Sequence, residues 1–213
     1  DEHKFDQVCV TAASLSRDIQ PENRLIVDLC LCSYTQDGHC CIMGDQERTD
    51  RLLLQTAKDI YTASGATIAP SDCQDNTVKN IKSIKDGNIE VMSYSTKFRS
   101  SFYRGWRNAM KIEKGIHRPY QLDVSDRRGA LHRSIKYSDD GADELMIKPG
   151  MTGIDLISDI KMFSHKPTGV YQTSGEYVGL ETPEQLLETY RVFERAGADF
   201  MITYGARDLV GKV

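Results

Sequence analysis

With 213 residues, 39% of them hydrophobic and 27% charged, the chain is long enough to bury a core as one domain, or as two small ones. A net charge of −4 and the absence of a long basic run weigh against nucleic acid as a partner. No apolar stretch approaches the roughly 18 residues of a membrane span, and the opening DEHKFDQVCV lacks the pattern of a signal peptide, so a soluble, cytoplasmic protein is expected.

The first strand is read over 24–32, RLIVDLCLC, an apolar run bounded by polar residues. A helix over 47–64 follows and leads into ASGATIAPSD (63–72), where a Gly-Ala turn precedes a short apolar strand. The same pattern returns as DDGADELMIKPG (139–150) and RAGADFMITYG (195–205). Glycine is the expected stop at a helix end, and a short apolar strand after it suits burial on both faces. Between these units, strands are read over 88–97 and 168–175, and helices over 128–140, 153–164 and 182–196. Thr182 with Gln185 three residues on forms a capping box. Helix, glycine stop and buried strand in repetition predict an α/β fold with parallel strands, with about six β/α units in a single domain over 1–213.

In parallel barrels, functional side chains gather at the C-terminal ends of strands. Those ends carry Asp28, Cys30 and Cys32, then Ser71 and Asp72, Lys97, Lys148, Ser174 and Tyr204. One lysine there reads as an ordinary surface charge. Two, each flanked by apolar residues (VMSYSTKF and LMIKPGM), point to chemistry, because a lysine beside another cation in an apolar pocket has a lowered pKa and a nucleophilic amine. That is what a Schiff base with a ketone requires.

Cys30, Cys32 and Cys40 follow Cys-x-Cys-x₇-Cys, with Cys41 adjacent. Two cysteines two apart on a strand share a face, and SYTQDGH can return Cys40 to them. Three thiolates with an open fourth position make a zinc site of the catalytic type; small buried hydrophobes are the alternative. His39 is a further candidate ligand, awkwardly placed beside Cys40. Asp28, two residues before Cys30, is expected to face the same way and to orient a lysine or relay a proton. Tyr103 and Arg107 are four apart and would share a helix face, with Arg107 either a carboxylate ligand or a structural surface arginine.

Taken in order, VDLCLCSYTQDGHC, APSD, VMSYSTKF, SFY, YQL, LMIKPGM, VYQTSGEY and GAD…ITY resemble the porphobilinogen synthase (5-aminolevulinate dehydratase) family over nearly the whole chain. The resemblance implies a (β/α)₈ TIM-barrel-type fold and a hydro-lyase that condenses two molecules of 5-aminolevulinate for tetrapyrrole and haem synthesis. It assigns the Schiff base to Lys148 and the partner lysine to Lys97. Ser174 and Tyr204 would hold the first substrate's carboxylate, and Arg107 and Gln121 the second's, with Tyr103 and Asp28 lining the pocket. Cys30, Cys32 and Cys40 would bind zinc that activates the second substrate.

The chain also departs from the family pattern. His117 stands where the family places an arginine before YQ, and the adjacent Arg118 is expected on another side of the backbone. Arg104-Gly105, Thr152-Gly153 and Tyr204-Gly205 replace family pairs, and the segment after SGEY is shortened to VGLETPE. The family's N-terminal arm and first two strands find no counterpart, which accounts for six units rather than eight. Open strand edges predict a homo-oligomer. Two other readings are a divergent Schiff-base condensing enzyme or lyase with another keto substrate, and a non-catalytic assembly subunit. Retention of both lysines and all three cysteines argues against the latter, since a buried unused lysine is costly.

Overall fold

The structure is a computed structural model that describes residues 2–85, 87–109, 111 and 117–213, the side chains of residues 2 and 3 excepted. It divides into two compact units, Asp1–Tyr94 with Asp139–Asp143, and Ser95–Ser138 with Glu144–Val213.

The first unit opens with α1 (Glu2–Ile19), a helix not foreseen from the sequence. Phe5 and Ala13 are buried on one of its faces, and Arg17 Nε donates to the Ser64 carbonyl at 2.9 Å, tying α1 to the end of the second helix. Strand β1 is Ile26–Leu29, shorter than the apolar run, because the chain turns into a 3₁₀ segment at Leu31–Ser33. Helix α2 (Gln46–Ser64) starts at Asp45, whose side chain accepts from the Arg48 amide, and buries Leu53, Ala57 and Ile60 at helical spacing. It stops at Gly65 with φ 63°, a left-handed conformation that costs glycine little. Strand β2 (Thr67–Pro70) is wholly buried and pairs in parallel with β1, Val27 opposite Ile68. Helix α3 (Thr77–Lys82) buries Val78 and Ile81.

Strand β3 (Met92–Lys97) runs across the boundary of the two units, and all six residues are buried. Four are Ser or Thr or Lys, so the polar groups need partners. Ser134 supplies two of them within the second unit: its hydroxyl lies 2.9 Å from Ser95 Oγ and 3.1 Å from Thr96 Oγ1. After a short helix α4 (Arg104–Ala109), α5 (Arg127–Asp139) brings Ser134 into place. Strand β4 (Glu144–Lys148) leads through a 3₁₀ segment, Met151–Leu156, into α6 (Ile157–Ser164). The predicted helix over 153–164 is thus regular only from Ile157 onward, since Gly153 is non-helical; a Cβ there would meet Ile147 Cγ2 at 2.4 Å. Strand β5 (Thr168–Tyr171), the single turn α7 (Ser174–Tyr177), α8 (Pro183–Arg195), β6 (Phe200–Ile202) and the turn α9 (Ala206–Leu209) complete the chain. The expected capping box of Thr182 and Gln185 is present. The sheet order is β3-β4-β5-β6, parallel, with Ile147 opposite Val170 and Tyr171 opposite Ile202. Gly141 and Gly197 precede β4 and β6 with positive φ, as Gly65 precedes β2.

Candidate functional site

Strands β3 and β4 are neighbours and each ends on a lysine, Lys97 and Lys148. The Phe98 amide donates to the Lys148 carbonyl at 2.9 Å, which sets the two strand ends side by side. Lys97 is only 6% exposed, and Lys148 is half-buried. Buried Tyr103 holds both ends: its hydroxyl donates to Phe98 O at 2.9 Å and to Lys148 O at 3.1 Å. Lys148 Nζ sits 3.8 Å from the centre of the Tyr171 ring and 5.7 Å from that of Tyr103.

Beyond β5, Ser174 opens α7. Its hydroxyl oxygen is buried and has no hydrogen-bond partner among the described residues. Tyr204 lies two residues past β6 and is exposed, its ring edge-on to Tyr171 at 6.5 Å. Glu176, which sequence reasoning passed over, ties these loops together. Its carboxylate accepts from the Met151 amide at 2.7 Å and from the Thr173 amide and hydroxyl, joining the loop after Lys148 to the turn that presents Ser174. Burial pushes the Glu176 carboxyl up, against the pull of those hydrogen bonds. The motif SGEY was visible in the sequence, but nothing in it marks the glutamate as buried.

A second feature of the same unit is a cavity of about 290 Å³ lined by Arg99, Ser100, Ser101, Arg107, Arg118 and Gln121. The Arg107 guanidinium stacks on Tyr103 at 5.1 Å, so these two do meet. Buried Gln121 presents an Oε1 without a partner among the described residues. Arg118 is also buried here, which corrects the expectation that it faces elsewhere; exposed His117 instead contacts Arg99 at 3.0 Å. The reason is the turn Arg118-Pro119-Tyr120-Gln121, closed by the Gln121 amide on the Arg118 carbonyl at 3.1 Å. Such a turn brings its first and fourth residues together, and proline suits its second position. Arg99 is neutralised by Asp123 at 2.7 Å.

In the first unit, Cys30, Cys32 and Cys40 bring their sulfurs within 4.8 Å of one another, with 3.1 Å between Cys30 and Cys32. The cysteines do not lie on a strand as expected. Cys30 follows β1 in extended conformation and Cys32 sits on the 3₁₀ turn, which brings the two sulfurs together by curvature rather than by pleat. Hydrogen bonds with Cys32 and Cys40, and then burial, hold the Cys30 thiol well above its usual range. A set of thiols that resist ionising for each other's sake gives up protons readily only to a cation. The donor set therefore fits a thiophilic metal; His39 does not belong to the group. Asp28 is exposed while Cys30 is buried, so the two do not share a face as expected; the alternation ends where the strand does. Its carboxylate accepts from Ser71 Oγ at 2.8 Å. Next to it in sequence, Asp72 is buried and pushed up to about 7 by that burial, with Thr77 donating to it at 2.6 Å.

Among the described residues no helix is long and apolar enough to cross a membrane. The family model for delta-aminolevulinic acid dehydratase matches residues 2–212. The enzyme of that name from Bacillus subtilis (strain 168) is 35% identical over 88% of this chain, and that from Escherichia coli (strain K12) 32% identical over all of it. The chain spans 64% and 71% of the length of these two relatives. A crystal structure of delta-aminolevulinic acid dehydratase from Toxoplasma gondii ME49, in complex with the product porphobilinogen, superposes on 93% of this chain and 62% of its own, with a TM-score of 0.86 and 30% identity. The α/β fold of TIM-barrel type anticipated from the sequence is thereby established, the strands being parallel within each unit. By the extent of the family match and by the identity of its relatives, the chain belongs to the delta-aminolevulinic acid dehydratase family.

Proposed function

We propose that the protein is a hydro-lyase that condenses two molecules of 5-aminolevulinate into porphobilinogen, in tetrapyrrole synthesis, through a Schiff base on Lys148. The observation that carries this reading is two buried polar atoms without partners among the described residues. Ser174 Oγ lies on the loop joined to Lys148, and Gln121 Oε1 lies in the arginine-lined cavity. A buried polar atom without a partner calls for a ligand. Both are positions that the family resemblance assigns to substrate.

Lys148, as neutral amine, attacks the ketone of the first 5-aminolevulinate, with Lys97 beside it to disfavour a second positive charge. Ser174 and Tyr204 hold that substrate's carboxylate. The second carboxylate falls to Arg107, Arg118 and Gln121, with Tyr103 fixing Arg107 by stacking. Asp28 retains its proposed part in proton transfer. Cys30, Cys32 and Cys40 would hold zinc, which supplies a Lewis acid for the second substrate. Residues 1–213 are read as one barrel domain that associates with further copies of itself.

Borohydride reduction in the presence of 5-aminolevulinate, followed by peptide mass spectrometry, tests the assignment. A reduced adduct on Lys148 is expected, lost in Lys148→Ala and formed more slowly in Lys97→Ala. An equal adduct yield in Lys148→Ala and the parent would refute it.

A further inference from the structure

We infer that Tyr171 is an electrostatic partner of the reacting nitrogen, its π face favouring the cationic forms of Lys148 Nζ. Resting on the reading of Lys148 as the Schiff-base lysine, this assigns a role to a residue that the substrate contacts proposed above do not include. Three features of the second unit put the ring there. The register pairs Ile147 with Val170, so the next residues along, Lys148 and Tyr171, end neighbouring strands in the same row. The Gly150 amide donates to the Tyr171 carbonyl at 2.9 Å, which locks the loop after Lys148 against the tyrosine's backbone. Tyr204 meets the ring edge-on at 6.5 Å.

The resulting separation of 3.8 Å between Nζ and the ring centre is well inside the range of cation–π attraction. Both partners are half-buried, so water screens the contact less than at an open surface. The same nitrogen carries positive charge twice in the proposed reaction. One charged form is the protonated amine, which must lose a proton before it attacks. It is a cation again when the neutral amine has attacked the carbonyl carbon and the carbonyl oxygen has left as water, taking one proton from the amine and one from solution. The nitrogen of the resulting iminium keeps one hydrogen and the charge. A π face close to Nζ favours both cations over the neutral amine. Lys97 works in the opposite direction, and the two neighbours together set the pH at which Lys148 reacts.

Reductive methylation with formaldehyde and cyanoborohydride, quantified at Lys148 by peptide mass spectrometry across pH, reads the charge on this nitrogen without any need for the natural substrate. In Tyr171→Leu the pH of half-maximal modification is expected to fall by about half a unit to one unit. Tyr171→Phe, which keeps the ring, should match the parent. Equal midpoints in the parent and Tyr171→Leu would overturn the inference. Tyr171→Trp offers a deeper π face and serves where the leucine variant fails to fold; it should hold or raise the midpoint, and a lower one would count against the idea. Borohydride trapping of 5-aminolevulinate on the same proteins separates the two claims. A parent without adduct removes the Schiff-base reading, while the methylation midpoints still decide the influence of Tyr171.

Discussion

At the scale of single residues, the arginine cavity offers the sharpest test. Arg118 and Gln121 meet across one turn, and Arg107 is held against Tyr103. A charge-assisted hydrogen bond contributes about 1.5–3 kcal/mol, so Arg118→Ala is expected to raise KM for 5-aminolevulinate roughly 10- to 100-fold. His117→Ala, a change at an exposed position, should leave KM within about twofold. Steady-state kinetics of the two variants checks this, and the reverse ranking would return the carboxylate to His117. The cysteines give a second residue-scale expectation. The Cys30→Ser/Cys32→Ser variant removes two of three clustered sulfurs and should lose about one equivalent of zinc per chain while keeping its far-ultraviolet dichroism. Undiminished zinc would place the metal elsewhere, and collapse of the fold would mark the site as structural.

At the scale of elements, the turn α7 and the loop after β4 act as one piece because Glu176 accepts hydrogen bonds from both. Phe193 of α8 backs that piece: a Cβ at Gly150 would come within 2.8 Å of its ring. Burial raises the Glu176 carboxyl above its ordinary 4.5, so the folded chain holds this proton more tightly than the unfolded one. The sign follows from linkage. The stability tied to that proton is full below the unfolded value and is lost as pH rises through the folded one. Urea midpoints at several pH values should therefore show the stability of the parent, relative to Glu176→Gln, declining as pH rises above 4.5. A difference that stays level or grows with pH would mean that the hydrogen bonds to the carboxylate outweigh its burial.

For the molecule as a whole, the ends of the sheets matter most. β1 is a terminal strand of the two-stranded sheet and β6 of the four-stranded one. A terminal strand presents unpaired amides and carbonyls that attract another chain. Self-association is expected on that ground, measured by light scattering coupled to size exclusion. A stable monomer with native dichroism would contradict it.

Periodicity and glycine stops made the parallel α/β class legible in the sequence, because each local unit of helix, Gly-Ala turn and apolar strand carries its own physical signature. Gly65, Gly141 and Gly197 all take the positive φ that the pattern requires. The position of the lysines at two strand ends was legible for a related reason, since each closes an apolar run in the sequence. What lay beyond the sequence were the outcomes of long-range packing. The strand over 24–32 stopped at Leu29, where a tight turn brings together two of the three clustered sulfurs. The start of the predicted helix over 153–164 gave way where the chain passes Ile147 too closely for any side chain. Arg118 took the buried place that its neighbour seemed to own, through a turn closed by one backbone hydrogen bond. Tyr171 and Glu176 meet residues 23 and 25 positions earlier, Lys148 and Met151, across strand registry and loop contact. Local sequence determines which elements form, since propensity and capping act over a few residues; which side chains then face one another is decided only when distant strands come into register.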